Sequence, residues 1–197
     1  FDVLRATSTM VTALGNGAAG IVPVAEIPEA LSLRQRRPEI LLAGERDGVR
    51  IGAHLTGGRG FDLGNSPREF TAERVGGRTI AMTTTNGTRA LRACAPAAEV
   101  LLGSFLNLRA TAEFIEQRQP PHLLLVCSGT LDQTAYEDVL GAGALCDLLW
   151  PKYGGGAQNA GPLEHRKDRP GGSQNEPGNQ QPLAELNGCQ PRHLRER

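Results

Sequence analysis

At 197 residues and 39% apolar content, the chain is long enough to bury one α/β core. Its 21 basic and 21 acidic side chains balance, so no global field draws it to nucleic acid or to an acidic membrane, and no apolar run approaches the roughly 20 residues that span a bilayer. Cys94, Cys127, Cys146 and Cys189 are scattered without a C-x-x-C pair or a preceding secretory segment, which argues against a disulfide framework or a structural zinc site and fits a reducing cytoplasm.

The chain opens on Phe1-Asp2-Val3-Leu4, a β-prone run that reads as the end of a strand begun upstream. From there to about residue 150, short branched apolar runs alternate with longer amphipathic stretches. Strands are expected at 1–4, 20–25, 39–43, 78–83, 98–103 and 122–127, and helices at 8–17, 28–36, 67–74, 87–95, 107–118 and 134–149. This pattern predicts an α/β fold: a mostly parallel sheet with helices on both faces, built from repeated βα units. The clearest helix start is Ser66-Pro67-Arg68-Glu69, where Ser66 can cap, Pro67 suits the first helical position and Glu69 closes a capping box.

Beyond Trp150 the character changes. Residues 151–197 contain no Ile, Val, Phe, Met or Trp, while Gly and Pro together number 14. Such a segment cannot bury enough apolar surface to offset its ordering entropy, so the expected division is an incomplete α/β domain over 1–150 and a disordered Gly/Pro-rich tail over 151–197. The switch falls in mid-helix, after Asp147-Leu148-Leu149-Trp150, and points to an aberrant end. It is expected to leave Leu145, Leu148, Leu149 and Trp150 partly exposed and the chain, as written, inactive or impaired.

Four polar clusters follow predicted strands: Asp2 with Arg5-Ala6-Thr7-Ser8-Thr9, Gly44-Glu45-Arg46, Thr83-Thr84-Thr85-Asn86-Gly87-Thr88, and Cys127-Ser128-Gly129-Thr130. In an open parallel sheet these C-terminal strand ends share one edge, where ligands bind. Helices that begin there turn free N–H groups toward an anion, most naturally phosphate, and Gly87 and Gly129 allow close backbone approach. Neither loop has a Walker A or dinucleotide fingerprint.

Asp2, Glu45, Asp62 and the pair Glu137-Asp138 bring hard oxygen ligands suited to magnesium. Adjacent positions on a helix diverge by about 100°, so one of Glu137 and Asp138 at most is expected to face the site. Arg5 and Arg46, ahead of Arg89, are candidate phosphate clamps through planar, bidentate hydrogen bonding. Cys127 is a candidate nucleophile at a helix start, set against a small buried strand residue; the loop lacks the arginine that cysteine-dependent phosphatases use. The four histidines, His54, His122, His165 and His193, have no metal spacing and receive no role.

Taken in order, Asp2-Val3-Leu4-Arg5-Ala6-Thr7-Ser8-Thr9, Gly44-Glu45-Arg46, Phe61-Asp62-Leu63-Gly64-Asn65-Ser66-Pro67, the Thr83–Thr88 run, Phe105-Leu106-Asn107, Cys127-Ser128-Gly129-Thr130 and Glu137-Asp138 closely resemble the 2-phosphosulfolactate phosphatase family across 1–149. The resemblance implies a magnesium-dependent phosphomonoesterase that converts 2-phosphosulfolactate to sulfolactate in coenzyme M biosynthesis. It makes Asp2, Glu45 and Asp62 candidate metal or catalytic carboxylates, and Arg5, Asn65, Ser66, Asn86 and Thr88 candidate ligands of phosphate or sulfonate. The stretch Ala53–Arg59 departs from the family as a lengthened loop, and the family's later α/β elements are missing after about 150.

The resulting assignment places Asp2, Arg5 and Cys127 as catalytic candidates. Arg46, Asn65, Ser66, Thr85, Asn86, Gly87, Thr88, Ser128, Gly129 and Thr130 are substrate-binding candidates, and Glu45, Asp62, Glu137 and Asp138 are magnesium ligands. The expected partner is a small anionic phosphate ester, with self-association left open. The expected chemistry is metal-assisted phosphoryl transfer in which a carboxylate orients water or itself attacks. The rival expectations are an inactive anion-binding fragment and a phosphatase of the same family with another small acidic substrate.

Overall fold

The computed structural model describes residues 1–131, 133–153 and 186–187. Three parallel strands form the centre of a sheet: β1 (Gly20–Pro23), β2 (Leu41–Arg46) and β4 (Thr79–Thr83). Two-residue strands β3 (Val49–Arg50) and β5 (Leu186–Asn187) pair antiparallel at its edges, giving the order β3-β2-β4-β1-β5. Gly20 faces Thr79, and Leu41 faces Ile80, so β4 is flanked in register on both sides.

Side-chain alternation along these strands builds two cores. Ile21, Ala43, Ile80 and Met82 point to one face, where they meet Ala6, Met10 and Ala13 of helix α1 (Ala6–Gly15) with Phe70 and Val75. Val22, Leu42 and Ala81 point to the other, against Ala30 and Leu33 of α2 (Ile27–Arg36) with Ile51 and Phe61. The short helices α3 (Ala53–Thr56), α4 (Ala72–Val75) and α5 (Gly87–Ala93) fill loops around this sheet. A third cluster joins Ala112 and Ile115 of α6 (Leu108–Arg118) to Leu145 and Leu149 of α7 (Tyr136–Tyr153). The α/β architecture with helices on both faces therefore stands as expected from the sequence.

Several elements differ. The expected strands 98–103 and 122–127 run without a ladder and flank a large, mainly apolar cavity shared with α5 and α6. Segment 1–4 is likewise no named strand, although Phe1 N donates to Val126 O at 2.6 Å and Ser128 N donates to Phe1 O at 2.8 Å, one parallel step of pairing. The helix expected over 67–74 divides into a 3-10 turn, Pro67–Glu69, and α4, because Phe70 drops into the core between them. Its capping box does not form: the Ser66 hydroxyl makes no cap bond, and Glu69 Oε2 instead accepts Gly64 N at 3.0 Å.

Helix α7 continues through Tyr153 rather than ending at Trp150, since Tyr153 packs on the third cluster and Lys152 pairs with Glu116 of α6 at 3.6 Å. Leu145 and Leu149 are buried there, contrary to expectation, while Leu148 and Trp150 are exposed as expected. The expected disorder of 151–197 otherwise lies outside the described residues, except at Leu186–Asn187, which pair with β1. The lengthened segment 53–59 contains α3.

Candidate active site

Parallel strands bring Val24, Glu45 and Thr84 to one edge, and the loops after them are tied together there. Gly44 makes this possible: its φ is 148°, and a Cβ would collide with the Thr83 carbonyl oxygen, so only glycine lets β2 approach β4 this closely. Glu45, the next residue, is buried and spans two loops. Its Oε1 accepts Thr85 N at 2.7 Å; Oε2 accepts Gly48 N at 2.8 Å and the Thr85 hydroxyl at 3.3 Å. Arg46 turns away, donating to Thr83 Oγ1 at 3.1 Å and pairing with Glu26 at 3.7 Å.

Asp2 starts α1 from outside. Its Oδ1 accepts Ala6 N at 2.9 Å, and its carbonyl accepts Thr7 N at 2.9 Å. The helix therefore has its favourable negative group supplied by the chain itself, and those two amides are not free for phosphate. The start of α5 is similarly closed: Thr88 N donates to Thr84 Oγ1 at 3.0 Å and Thr84 N to Thr88 Oγ1 at 2.9 Å. Thr88 is thus a buried capping partner rather than a group facing a ligand.

Asp138, on the first turn of α7, is buried and organises the opposite wall. Its Oδ1 accepts Val3 N at 2.8 Å, while Oδ2 accepts Gly129 N at 3.1 Å and Ser128 Oγ at 3.2 Å. Gly129 has φ 67°, and a Cβ there would strike Gln133 O, which closes the tight turn with Thr130. Burial pushes the Asp2 carboxyl above its ordinary range and the neighbouring Asp138 carboxylate adds to the rise, opposed by Ala6 N–H, the Ser128 hydroxyl and the N-terminal ammonium.

Between these walls lies a cavity of about 240 Å³. It is lined by Asp2, Arg5, Glu45, Asn65, Thr85, Asn86, Gly129, Thr130, Glu137 and Asp138, all foreseen in the sequence. Both Glu137 and Asp138 line it, contrary to the expectation of one: Asp138 forms the buried wall and Glu137 the half-buried rim. Arg5 is held at the mouth by donation to Gly48 O at 3.1 Å. Asp47, Leu4, Leu131 and Ala135 also line it and were not foreseen. The Asp47-Gly48 dipeptide, with both residues at positive φ, is a hairpin signal that marks Asp47 in the sequence.

Arg46, Asp62, Ser66, Gly87, Thr88, Cys127 and Ser128 do not line this cavity. Asp62 is committed to Arg34, to Leu42 N at 2.9 Å and to Arg59 at 3.5 Å. Gly87 and Ser128 stand behind Asp2, on the larger apolar cavity. Burial raises the Cys127 thiol above its ordinary value, opposite to what an activated nucleophile needs.

Proteins each named "Probable 2-phosphosulfolactate phosphatase" are similar to the chain. The one from Caldicellulosiruptor saccharolyticus is 45% identical over 152 residues, covering 75% of this chain and 60% of its own length. That from Caldanaerobacter subterraneus is 46% identical over 150 residues, covering 75% and 59%. That from Pseudothermotoga lettingae is 46% identical over 158 residues, covering 80% and 64%. The chain thus spans about 60% of the length of the curated relatives it matches. The family model described as 2-phosphosulpholactate phosphatase matches residues 1–165, and with the site motifs inside that span the chain belongs to the 2-phosphosulpholactate phosphatase family.

Proposed function

We propose that the protein hydrolyses a small, multiply anionic phosphate monoester, 2-phosphosulfolactate, to 3-sulfolactate and phosphate with magnesium, as a step of coenzyme M biosynthesis. The ester is the one in the relatives' names. The observation that carries the magnesium reading is a charge mismatch. Among the described residues, five carboxylates and a single guanidinium line the cavity, so an ester bearing phosphate, sulfonate and carboxylate would be repelled by them unless a cation lay between. A volume of about 240 Å³ lies below the roughly 300–1,000 Å³ of drug-sized pockets and suits a small metabolite.

The cavity lining offers oxygen donors of the kind a hard divalent ion accepts, although among the described residues no three of them converge. Glu137 makes no hydrogen bond or ion pair among the described residues, while Glu45 Oε1 and Asp138 Oδ1 each accept one hydrogen bond from them and keep lone pairs for a ligand. These are the carboxylates from which magnesium would draw ligands, and it would supply Lewis-acid stabilisation of the phosphoryl oxygens. Asp62, bound elsewhere, is left out. Glu45 keeps the Thr85 and Gly48 loops in place, Arg5 presents a planar donor to phosphate or sulfonate, and Thr85, Asn86, Gly129 and Thr130 complete the wall. Asp2 orients the attacking water or attacks phosphorus itself; its raised basicity suits the first role.

A second reading, a chain that holds the anion without turnover, is favoured by one observation: among the described residues no group of three His, Cys, Asp or Glu side chains converges as a metal site. Phosphate release from 2-phosphosulfolactate, beside 2-phospholactate lacking the sulfonate, tests the function. Preference for the sulfonated ester is expected. Equal turnover of both would remove the substrate assignment, and none on either ester would select the second reading.

A further inference from the structure

The acidic cavity is layered by depth. Its floor carries Asp2, Glu45 and Asp138, which are 8%, 7% and 2% exposed, while Leu4 and Leu131 at its rim are 70% and 75% exposed. Arg5 belongs to the rim. Its Nη2 donates to Gly48 O at the exposed tip of the β2–β3 hairpin. The turn that offers this carbonyl, Asp47-Gly48, has φ values of 54° and 75° and ties two walls together: Gly48 N donates to Glu45 Oε2 at 2.8 Å, while Gly48 O holds Arg5 at 3.1 Å. Among the described residues Arg5 has no ion pair, although five carboxylates line the same cavity. A backbone carbonyl thus fixes the guanidinium without neutralising it, and the rest of its planar fork remains open to an anion.

We propose that Arg5 recognises the sulfonate of the substrate rather than its phosphoryl group and so selects the ester, an inference that rests on the reading of that ester as 2-phosphosulfolactate. That reading puts the reacting phosphorus beside Asp2, at the floor. The carboxylate of the ester sits on the same carbon as the phosphate, whereas the sulfonate is carried one methylene farther out. Of the three anionic groups it therefore reaches furthest toward the rim, where it meets the one guanidinium among the described lining residues. The pairing fixes which end of the ester enters the cavity, and an ester without the sulfonate leaves Arg5 with no anion to bind.

The test compares kcat/KM for phosphate release from 2-phosphosulfolactate and from 2-phospholactate in magnesium, and the thermal midpoint, for the purified 197-residue wild type, Arg5→Ala and Arg5→Lys. Wild type is expected to prefer the sulfonated ester. Arg5→Ala is expected to lose about tenfold of that preference, the worth of a hydrogen bond to a charged group, through KM more than kcat and with an unchanged midpoint. Arg5→Lys is expected to recover part of the preference, since the charge returns without the planar fork. An Arg5→Ala variant that keeps the wild-type preference, or loses both esters to the same extent, overturns the inference and leaves the substrate reading standing; the second result would put Arg5 on a group the two esters share. A lowered midpoint in Arg5→Ala with no recovery of preference in Arg5→Lys also overturns it, as a purely structural role. Wild type that releases phosphate equally from both esters, or from neither, removes the substrate reading itself, and the inference with it.

Discussion

Gly87 and Asp2 are packed without a gap: a Cβ on residue 87 would overlap Asp2 Oδ2 and lie 3.1 Å from its Cγ. The same carboxylate holds the start of α1 through Ala6 N. Gly87→Ala must therefore move Asp2, α1 or α5. Overpacking of this kind costs about 1–3 kcal/mol, and misplacing a reacting group by about 1 Å can cost on the order of a hundredfold in rate. Urea denaturation and phosphate release check the two effects; unchanged turnover would show that Asp2 does not act from this position.

Glu45 joins two loops through three accepted hydrogen bonds, two of them from backbone amides. In Glu45→Gln one carboxylate oxygen becomes an NH2 group facing an N–H donor. The variant is expected to lose about 1–3 kcal/mol of stability, the cost of a buried polar group left unpaired, and faster amide exchange is expected at Gly48 and Thr85. Wild-type exchange at both amides would remove Glu45 as the tie between the loops.

Asp2 gives the metal-free protein a defined acid response. Its unfolded carboxyl titrates near 3.8 and its folded carboxyl higher, so between those values the folded state binds the proton more tightly. Stability from this group therefore falls as pH rises through that window and is level above it. The stability of Asp2→Asn minus that of wild type, from urea midpoints in chelator, is expected to grow with rising pH and then flatten. A difference that shrinks with rising pH would contradict the raised carboxyl.

Cys127→Ser is expected to retain turnover within a few-fold of wild type. The thiol is raised by burial and stands off the acidic cavity, and a thiol held protonated is a poor nucleophile. Loss of turnover together with loss of a trapped thiophosphate intermediate would contradict this.

Strands β1, β2 and β4 were legible because their apolar residues are covered on both faces and run nearly unbroken, as at Ile21-Val22 and Ile80-Ala81-Met82. Residues 98–103 and 122–127 carry the same local signal, but strand formation needs a partner at the right register, which local composition does not encode. The acidic site was legible through order: Asp2, Glu45, Asn65, Asn86 and Asp138 come from separate motifs and line one cavity. What those motifs hid was the direction of each group. Thr84 and Ser66 both have cap-forming chemistry in sequence, yet only Thr84 caps, by accepting Thr88 N, and the Asp62 carboxylate goes to Arg34, a pairing set by how α2 docks on β2.

The central claim is that this acidic cavity releases phosphate from a polyanionic ester only with a divalent cation between them. Inorganic phosphate liberated from 2-phosphosulfolactate by the purified chain, in magnesium and then in excess chelator, tests it most directly. The account predicts release above the uncatalysed rate in magnesium, its loss in chelator and its return when magnesium is restored. Release that persists undiminished in chelator, or no release under any of the three conditions, would contradict it.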